Sequence, residues 1–228
     1  MHHTVNVSRA RFQHAEYCRV LSELGIEIIK IPKDDGHPDS CFVEDNAVVH
    51  SGRALICRMA KESRRGEEEG VEVILKEYVQ VRRATAPATI EGGDVIHLPA
   101  RLICGVTQRT NLAGVEQMRE WLDLPVDTIE DSDIVHIKSY ATYLGRGVII
   151  STKEYASHPA FEGLHVLTVP EGEEYAADTL AIGDTVLMPE GLPETYKMVR
   201  EAGFDVIPLD VGEFEKCEGA LTCLSILF

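Results

Sequence analysis

The feature that most constrains this chain is a recurring order of elements: two strands, a helix and a further strand. Apolar runs of strand length and stretches of helical periodicity follow one another in this order about four times, at a spacing of roughly 45 to 50 residues. A period in this range is typical of propellers and solenoids, whose units pack against their neighbours. The elements recur, whereas the residues themselves are hardly similar. The sequence therefore predicts an α/β protein made of repeated ββαβ units.

Periodicity and chain breakers place the individual elements. Residues 9–24 carry an apolar stripe at helical spacing, and Gly25 ends this helix before a strand predicted at 26–31. Because no linker rich in proline, glycine or serine divides the chain, we expect a single domain over residues 1–228. Further helices are predicted at 63–78, 111–122 and 193–202, with a weak one at 153–157, and strands at 47–49, 54–57, 79–81, 95–98, 102–104, 126–129, 134–137, 147–150, 164–168, 179–182, 185–188 and 204–208.

The net charge of the chain restricts the classes of partner that it can bind. The formal net charge is −16, from 38 acidic and 22 basic residues. This balance disfavours nucleic acid and anionic membranes, because both are negative themselves, and it suits a small cationic substrate. No apolar run approaches the roughly 20 residues of a membrane span. The opening Met-His-His-Thr-Val lacks the basic and apolar regions of a secretory signal, so we expect a cytoplasmic protein.

The six cysteines are scattered, without any CxxC pair. This spacing indicates reduced thiols and not a disulfide framework or a zinc site. Cys223 stands out because it lies in an apolar run that predicts a short strand over 220–228. A buried, inert thiol is the commoner role for such a residue. A nucleophile at this position needs a histidine, an orienting carboxylate and a substrate pocket from elsewhere in the chain.

Two groups of carboxylates interrupt the apolar pattern. Asp39, Glu44 and Asp45 lie beside or between predicted strands, where they either protect a sheet edge or receive a guanidinium or ammonium group. The stretch Glu91-Gly92-Gly93-Asp94 places two glycines between acids. Such a pair indicates either an ordinary hairpin turn or a close approach of the backbone to another group.

Basic residues in unexpected places complete the candidates. His136 lies inside a predicted apolar strand, either as a hydrogen-bonded core histidine or as a general base. Arg64 and Arg109 lie near the starts of predicted helices, where the helix dipole disfavours a cation. In a chain with so few basic residues they indicate recognition of an anion such as a substrate carboxylate, with ordinary surface arginines as the alternative.

In their order along the chain these motifs resemble the dimethylarginine dimethylaminohydrolase family of the guanidine-modifying (pentein) superfamily. The resemblance runs from about residue 9 to the C-terminus. Its specificity lies in the combination of five motifs: Phe-Val-Glu-Asp at 42–45, Glu-Gly-Gly-Asp at 91–94, Arg-Thr-Asn at 109–111, His-Ile-Lys-Ser at 136–139 and Leu-Thr-Cys at 221–223.

The resemblance implies a five-bladed α/β propeller of ββαβ units with pseudo-fivefold symmetry. Because the sequence starts almost at its first helix, we expect the first blade to be shortened at the N-terminus. The implied activity is hydrolysis of Nω,Nω-dimethylarginine or monomethylarginine to citrulline and dimethylamine or methylamine, through a covalent thiouronium intermediate. The implied partner is this small-molecule substrate, no metal or cofactor is expected, and a homodimer is left open.

The resemblance also implies a role for each matching residue. Cys223 corresponds to the nucleophile, His136 to the general acid and base, and Glu91 to the carboxylate that positions the histidine and the substrate. Substrate contacts are implied at six further residues: Glu44 and Asp45 at the guanidinium, Asp39 at the α-amino group, Arg64 and Arg109 at the α-carboxylate, and the backbone carbonyl of Cys217.

Two alternatives stay open at the level of sequence. An arginine deiminase or another arginine-modifying pentein differs in the space around the guanidinium, which a sequence does not measure. Agmatine is a poor fit, because it has no carboxylate for the two arginines. The second alternative is an inactive pentein that binds guanidines or has a structural role, against which the intact Cys223, His136 and Glu91 argue.

Overall fold

The computed structural model describes residues 4–228, which form an α/β protein with four three-stranded sheets. In each sheet the first two strands are antiparallel neighbours, and the third strand is parallel to the second. This pattern, with an α-helix between the second and third strands of three of the sheets, confirms the predicted ββαβ order for three units, and the third unit keeps its strands without an α-helix. The prediction that the opening Met-His-His is not part of a secretory signal falls outside the described residues.

The helices are α1 (Val7–Glu23), α2 (Glu68–Leu75), α3 (Leu112–Leu122), α4 (Pro193–Glu201) and α5 (Gly212–Glu215). None of these helices, within residues 4–228, has the length and apolarity needed to cross a membrane. The strands are β1 (Ala47–His50), β2 (Arg53–Ile56), β3 (Gln80–Arg83), β4 (Val95–His97), β5 (Leu102–Val106), β6 (Val126–Glu130), β7 (Ala141–Gly145), β8 (Val148–Ser151), β9 (His165–Thr168), β10 (Leu180–Ile182), β11 (Thr185–Pro189) and β12 (Asp205–Leu209), and the sheets group them in sequential threes.

By its internal contacts the chain divides into two compact units. Unit A comprises residues 4–30, 140–157 and 163–221, and contains α1, α4, α5 and the sheets β7–β9 and β10–β12; its core includes Ile150, Val186 and Val199. Unit B comprises residues 31–139, 158–162 and 222–228, and contains α2, α3 and the sheets β1–β3 and β4–β6; one of its core clusters includes Leu55, Leu102 and Met118.

Local sequence signals explain where several elements begin and end. Asn111 caps α3, because its side-chain oxygen accepts from the N–H of Gly114 at 2.9 Å. The hairpin between β1 and β2 turns at Ser51 and Gly52, which both have positive φ. Two consecutive positive φ angles match the twist of a tight two-residue hairpin. Gly25, with a φ of 86°, follows α1 in the left-handed conformation that favours glycine.

Several predicted elements are wrong. Residues 26–31 are extended but pair with no strand in the described part of the chain, so their alternating exposure has no ladder to support it. Residues 134–137 and 220–228 are not strands either, since 3-10 turns form at Ile137–Ser139 and Thr222–Leu224. The helix predicted at 63–78 shrinks to α2, preceded by the turn Glu62–Arg64. No α-helix forms at 153–157; between β8 and β9 the chain forms only the 3-10 turn Pro159–Phe161.

Candidate active site

Most of the predicted site residues of unit B lie in or beside short 3-10 turns, and two of these turns, Val43–Asn46 and Gly92–Asp94, come directly before a strand. The Val43–Asn46 turn contacts both the Gly92–Asp94 turn and the Thr222–Leu224 turn, and the Gly92–Asp94 turn also contacts the Ile137–Ser139 turn. The fold therefore brings together sequence motifs that are up to about 180 residues apart. The motif residues carried by these four turns are Glu44, Asp45, Glu91, His136 and Cys223.

His136 and Glu91 form a buried acid–base pair. The Nε2–H of His136 donates to Glu91 Oε2 at 2.9 Å, and Glu91 itself is completely buried. Burial disfavours the imidazolium, but Asp45, the hydrogen bond to Glu91 and the nearby Asp94 outweigh this and raise the pKa of His136 to about 9. His136 is therefore a cation at neutral pH, and it can give a proton to a leaving group.

Asp45 is held from two sides. Arg64 Nη1 donates to Asp45 Oδ2 at 2.8 Å, and the N–H of Gly93 donates to Oδ1 at 3.0 Å. Oδ1 also lies 3.6 Å from His136 Nε2. Burial favours the neutral acid, but His136 and Arg64 outweigh it and lower the pKa of Asp45. Asp45 is thus a fixed anion beside the imidazolium.

Arg64 is surrounded by carboxylates. Its Nε and Nη2 donate to Glu67 at 2.8–3.1 Å, and its Nη1 lies 3.7 Å from Glu91 Oε2 in addition to its bond to Asp45. The side chain is 6% exposed. The resemblance implies a contact between Arg64 and a substrate carboxylate. In the structure this arginine holds the acidic residues of the cluster in place, because its planar guanidinium can donate to several carboxylates at once.

Arg109 differs from Arg64 because its charge is only loosely compensated. Its residue is 8% exposed, and Nη1 is buried without a hydrogen-bond partner. The nearest carboxylate oxygen, Glu91 Oε1, is 4.0 Å away. The Arg109 backbone is fixed by its N–H, which donates to Thr107 Oγ1 at 3.0 Å. A buried guanidinium nitrogen without a partner is well suited to bind an anionic group of a ligand.

The other predicted residues are less enclosed. Asp39 is exposed in the loop before the Val43–Asn46 turn, and Cys223 is half-buried in the Thr222–Leu224 turn. Cys217 belongs to unit A, where it is exposed after α5. Unit B therefore places all the predicted charged residues except Asp39 in a buried cluster. Cys223 lies on the Thr222–Leu224 turn, which contacts the Val43–Asn46 turn that carries Glu44 and Asp45.

Three residues of the cluster were missed by sequence reasoning. Glu67 pairs with Arg64 three positions earlier, Lys138 Nζ contacts Glu44 Oε1 at 2.5 Å, and Asp94 accepts from the N–H of Ile137 at 3.0 Å. Burial raises the pKa of Asp94 to about 6. Asp94 and Lys138 were visible as members of the motifs 91–94 and 136–139, but Glu67 had no signal beyond its spacing from Arg64.

The acidic cluster also has the spacing of a metal site, since one atom each of Asp45, Glu91 and His136 lie within 4.8 Å of one another. Arg64 places its guanidinium between two of these carboxylates, at 2.8 Å from Asp45 and 3.7 Å from Glu91. A fixed cation there repels a metal ion and already supplies the positive charge. We therefore assign the three residues as a hydrogen-bonded acid–base cluster and not as metal ligands.

Comparisons with known proteins bear on the family to which the chain belongs. Residues 1–148 match the family model described as eukaryotic N,N dimethylarginine dimethylhydrolase. A dimethylarginine dimethylaminohydrolase from Pseudomonas aeruginosa is 33% identical over 226 residues, covering 97% of this chain and 89% of the relative. The enzyme of the same name from Streptomyces coelicolor is 36% identical over 215 residues, covering 92% of this chain and 82% of the relative.

Solved structures give the same family. A dimethylarginine dimethylaminohydrolase from Pseudomonas aeruginosa, complexed with citrulline, superimposes with a TM-score of 0.95 at 31% identity, covering 98% of this chain and 90% of the other. The N-terminal domain of a cyanobacterial arginine dihydrolase shares the fold at 21% identity, with a TM-score of 0.90 and coverage of 97% and 86%. From the family match and these identities, the chain belongs to the dimethylarginine dimethylaminohydrolase family.

Proposed function

We propose that this protein hydrolyses Nω,Nω-dimethylarginine and monomethylarginine to citrulline and dimethylamine or methylamine. The observation that carries the proposal is the buried cluster in which His136, protonated at neutral pH, lies between Glu91 and Asp45 in a chain of this family. An imidazolium held beside two carboxylates suits a substrate that carries a planar cation and must lose an amine.

In the proposed reaction Cys223 is the nucleophile. Its thiolate attacks the guanidinium carbon, His136 protonates the departing amine, and the C–N bond breaks to leave a thiouronium on the sulfur. Neutral His136 then takes a proton from water, the water oxygen attacks the same carbon, and the C–S bond breaks to release citrulline. This divides one difficult step into two easier ones. The cationic substrate itself favours the thiolate form of Cys223, because a nearby cation lowers the pKa of a thiol.

The remaining site residues hold the substrate in line for this attack. Glu91, Asp45 and Glu44 receive the guanidinium N–H groups, and Arg109, whose Nη1 lacks a partner, binds the α-carboxylate. We propose the exposed Asp39 for the α-amino group, a secondary carboxylate contact for Arg64, and the backbone carbonyl of Cys217 as a further acceptor. Fixing both ends of the amino acid contributes strongly, since proximity and orientation supply roughly 7–11 kcal/mol in favourable cases.

A citrulline assay with three substrates tests the proposal. The protein is incubated separately with asymmetric dimethylarginine, monomethylarginine and arginine, and citrulline is measured. We expect citrulline from the two methylated substrates. Citrulline from arginine alone would favour the arginine deiminase alternative, and no citrulline from any of the three would contradict the hydrolase assignment and favour an inactive pentein.

Substitution of the nucleophile tests the mechanism. We expect Cys223→Ser to lose all measurable turnover while it keeps the thermal unfolding midpoint of the wild type. Cys18→Ser, in a half-buried cysteine of α1, is the matched control and should keep the wild-type rate. In the wild type, an acid quench during turnover should leave a mass increase on Cys223; full activity of Cys223→Ser would show that another group attacks the substrate.

We also propose the finer architecture that the resemblance implies, a single domain with a five-bladed α/β propeller of pseudo-fivefold symmetry. The four three-stranded sheets support four of these blades. A single domain should unfold in one cooperative transition by both circular dichroism and the fluorescence of Trp121, whereas two separated transitions would contradict it. A cytoplasmic location and a homodimer stay predictions.

A further inference from the structure

Lys138 has no part in the chemistry described so far, yet it forms an ion pair with Glu44, one of the acids proposed to receive the guanidinium. Lys138 Nζ lies 2.5 Å from Glu44 Oε1, and each side chain is 11% exposed. Lys138 comes from the Ile137–Ser139 turn, directly after His136, and Glu44 from the Val43–Asn46 turn, directly before Asp45. The pair therefore joins the two turns that carry the imidazolium and its neighbouring carboxylate.

The two oxygens of Glu44 are in different situations. Oε1 is neutralised by Lys138, whereas Oε2 is buried and makes no hydrogen bond of normal geometry. The Thr222 hydroxyl compensates this oxygen only in part. A buried carboxylate oxygen without a donor costs stability, so it indicates a place where a ligand N–H binds.

Asp45, the adjacent carboxylate, has less acceptor capacity left for a ligand. Each of its oxygens already accepts one hydrogen bond, Oδ2 from Arg64 and Oδ1 from the N–H of Gly93. Glu44 Oε2 has no donor at normal hydrogen-bond geometry and only a minor contribution from the Thr222 hydroxyl. Of the two acids, Glu44 therefore has the more available acceptor for a guanidinium, and its orientation is set by Lys138.

The ammonium group of Lys138 also keeps the Glu44 carboxylate charged. Burial favours the neutral form of Glu44 and raises its pKa, and the neighbouring Asp45 acts in the same direction. Lys138 opposes both, by its charge and by its hydrogen bond, and Thr222 adds a smaller contribution. Without Lys138 the carboxyl would lose its main counter-charge and be free to rotate away from its present orientation.

We propose that Lys138 is a positioning residue for substrate recognition: it holds Glu44 Oε1, so that Oε2 stays available as an acceptor for a guanidinium N–H. This inference rests on the proposed function. A purely structural ion pair would affect stability alone, whereas a positioning residue affects the binding of substrate and leaves the chemical step largely unchanged. The two roles are separated by measuring binding and turnover in the same variants.

The test uses Lys138→Met, Lys138→Arg and Glu44→Gln, together with the double variant of Lys138→Met and Glu44→Gln. Each is placed in the wild type for kinetics and in Cys223→Ser for calorimetric binding of asymmetric dimethylarginine. We expect Lys138→Met to raise KM and Kd about tenfold, with kcat within about twofold of the wild type, because one charge-assisted hydrogen bond is weakened. Lys138→Arg should restore most of the affinity, and Lys138→Met should add almost nothing in the Glu44→Gln background.

Two results would overturn the role of Lys138. One is an unchanged Kd in Lys138→Met. The other is an equal loss of affinity from Lys138→Met with and without Glu44→Gln, which would show that the two side chains act independently. Neither outcome bears on the proposed function, which fails separately if the wild type forms no citrulline. The Cys223→Ser series reports on substrate binding in either case.

Discussion

Two turns occupy similar places in their ββαβ units, shortly before the first strand, yet their residues have different surroundings. In unit B the sequence is Gly92-Gly93-Asp94 before β4, and in unit A it is Ala176-Ala177-Asp178 before β10. The alanines are completely buried in the apolar core of unit A. The glycines face polar groups of the candidate site.

The glycines are required by close approach. A Cβ on Gly92 would lie 2.0 Å from the backbone oxygen of Glu44, and a Cβ on Gly93 would lie 2.8 Å from the ring of His136 and 2.9 Å from Asp45 Oδ1. Distances this short are not compatible with a side chain. The same turn therefore serves packing where methyl groups fit. It brings charged groups together where the absence of methyl groups lets backbone and side chains meet.

The largest effect is expected for Glu91→Gln, at the residue that precedes the glycine pair. Loss of the charge that accepts from His136 should lower turnover about 10³-fold and move the pKa of His136 below about 9, because a raised pKa falls when its anionic partner is removed. In the pH profile of kcat/KM, measured by citrulline release, the fall in activity at high pH should therefore move to lower pH. Glu174→Gln, at an exposed residue of the corresponding turn of unit A, is the matched control. An unshifted profile would mean that Glu91 does not orient His136.

Gly93→Ala tests the close approach directly. The added methyl group should push His136 and Asp45 out of place and lower kcat about 10²-fold, since small displacements of reacting groups have effects of this size. The reverse change, Ala177→Gly, should keep the wild-type rate and lower the free energy of unfolding by about 1 kcal/mol, from backbone entropy. If the two variants had equal rates, the close approach at Gly93 would not be needed for catalysis.

The ββαβ order was predictable because it depends on local patterns. Apolar runs followed by Gly52 or by the Asn111 cap identify strands and helices without knowledge of their neighbours. The motif residues Glu91 and His136 were also found, because a pair of glycines between acids and a histidine in an apolar run both depart from ordinary patterning. The structure places these two side chains in direct contact.

What the sequence did not reveal depends on distant partners. Residues 26–31 alternate like a strand, but a ladder partner is needed to make one, and the described chain offers none. The apolar run around Cys223 reads as a strand, but it forms a turn that packs on the Val43–Asn46 turn. Glu67 looks like a surface acid until the structure places it against Arg64 in the interior.

A smaller effect, on the free energy of unfolding of the protein, is expected for Asp94→Asn in the Gly92–Asp94 turn. Burial raises the pKa of Asp94 from 3.8 to about 6. Because the folded state holds its proton more tightly, the stability that Asp94 contributes is fully present below pH 3.8 and is lost as the pH rises through about 6. The difference in free energy of unfolding between wild type and Asp94→Asn should therefore change by about 2 kcal/mol in urea titrations at pH 4 and pH 7. A constant difference would contradict the buried, proton-retaining environment.

The smallest effect is expected in the turn of unit A, which is held by neutral hydrogen bonds. Thr142 Oγ1 donates to the carbonyl of Ala177 at 2.7 Å and accepts from the N–H of Thr179 at 3.3 Å. Thr142→Val should lower the free energy of unfolding by about 1 kcal/mol, the usual net contribution of such bonds, and leave KM and kcat for dimethylarginine unchanged. Urea denaturation and citrulline kinetics on the same preparation check both parts. A fall in kcat of tenfold or more would mean that this turn also supports the active site, and the division between a packing turn and a charge-gathering turn would no longer hold.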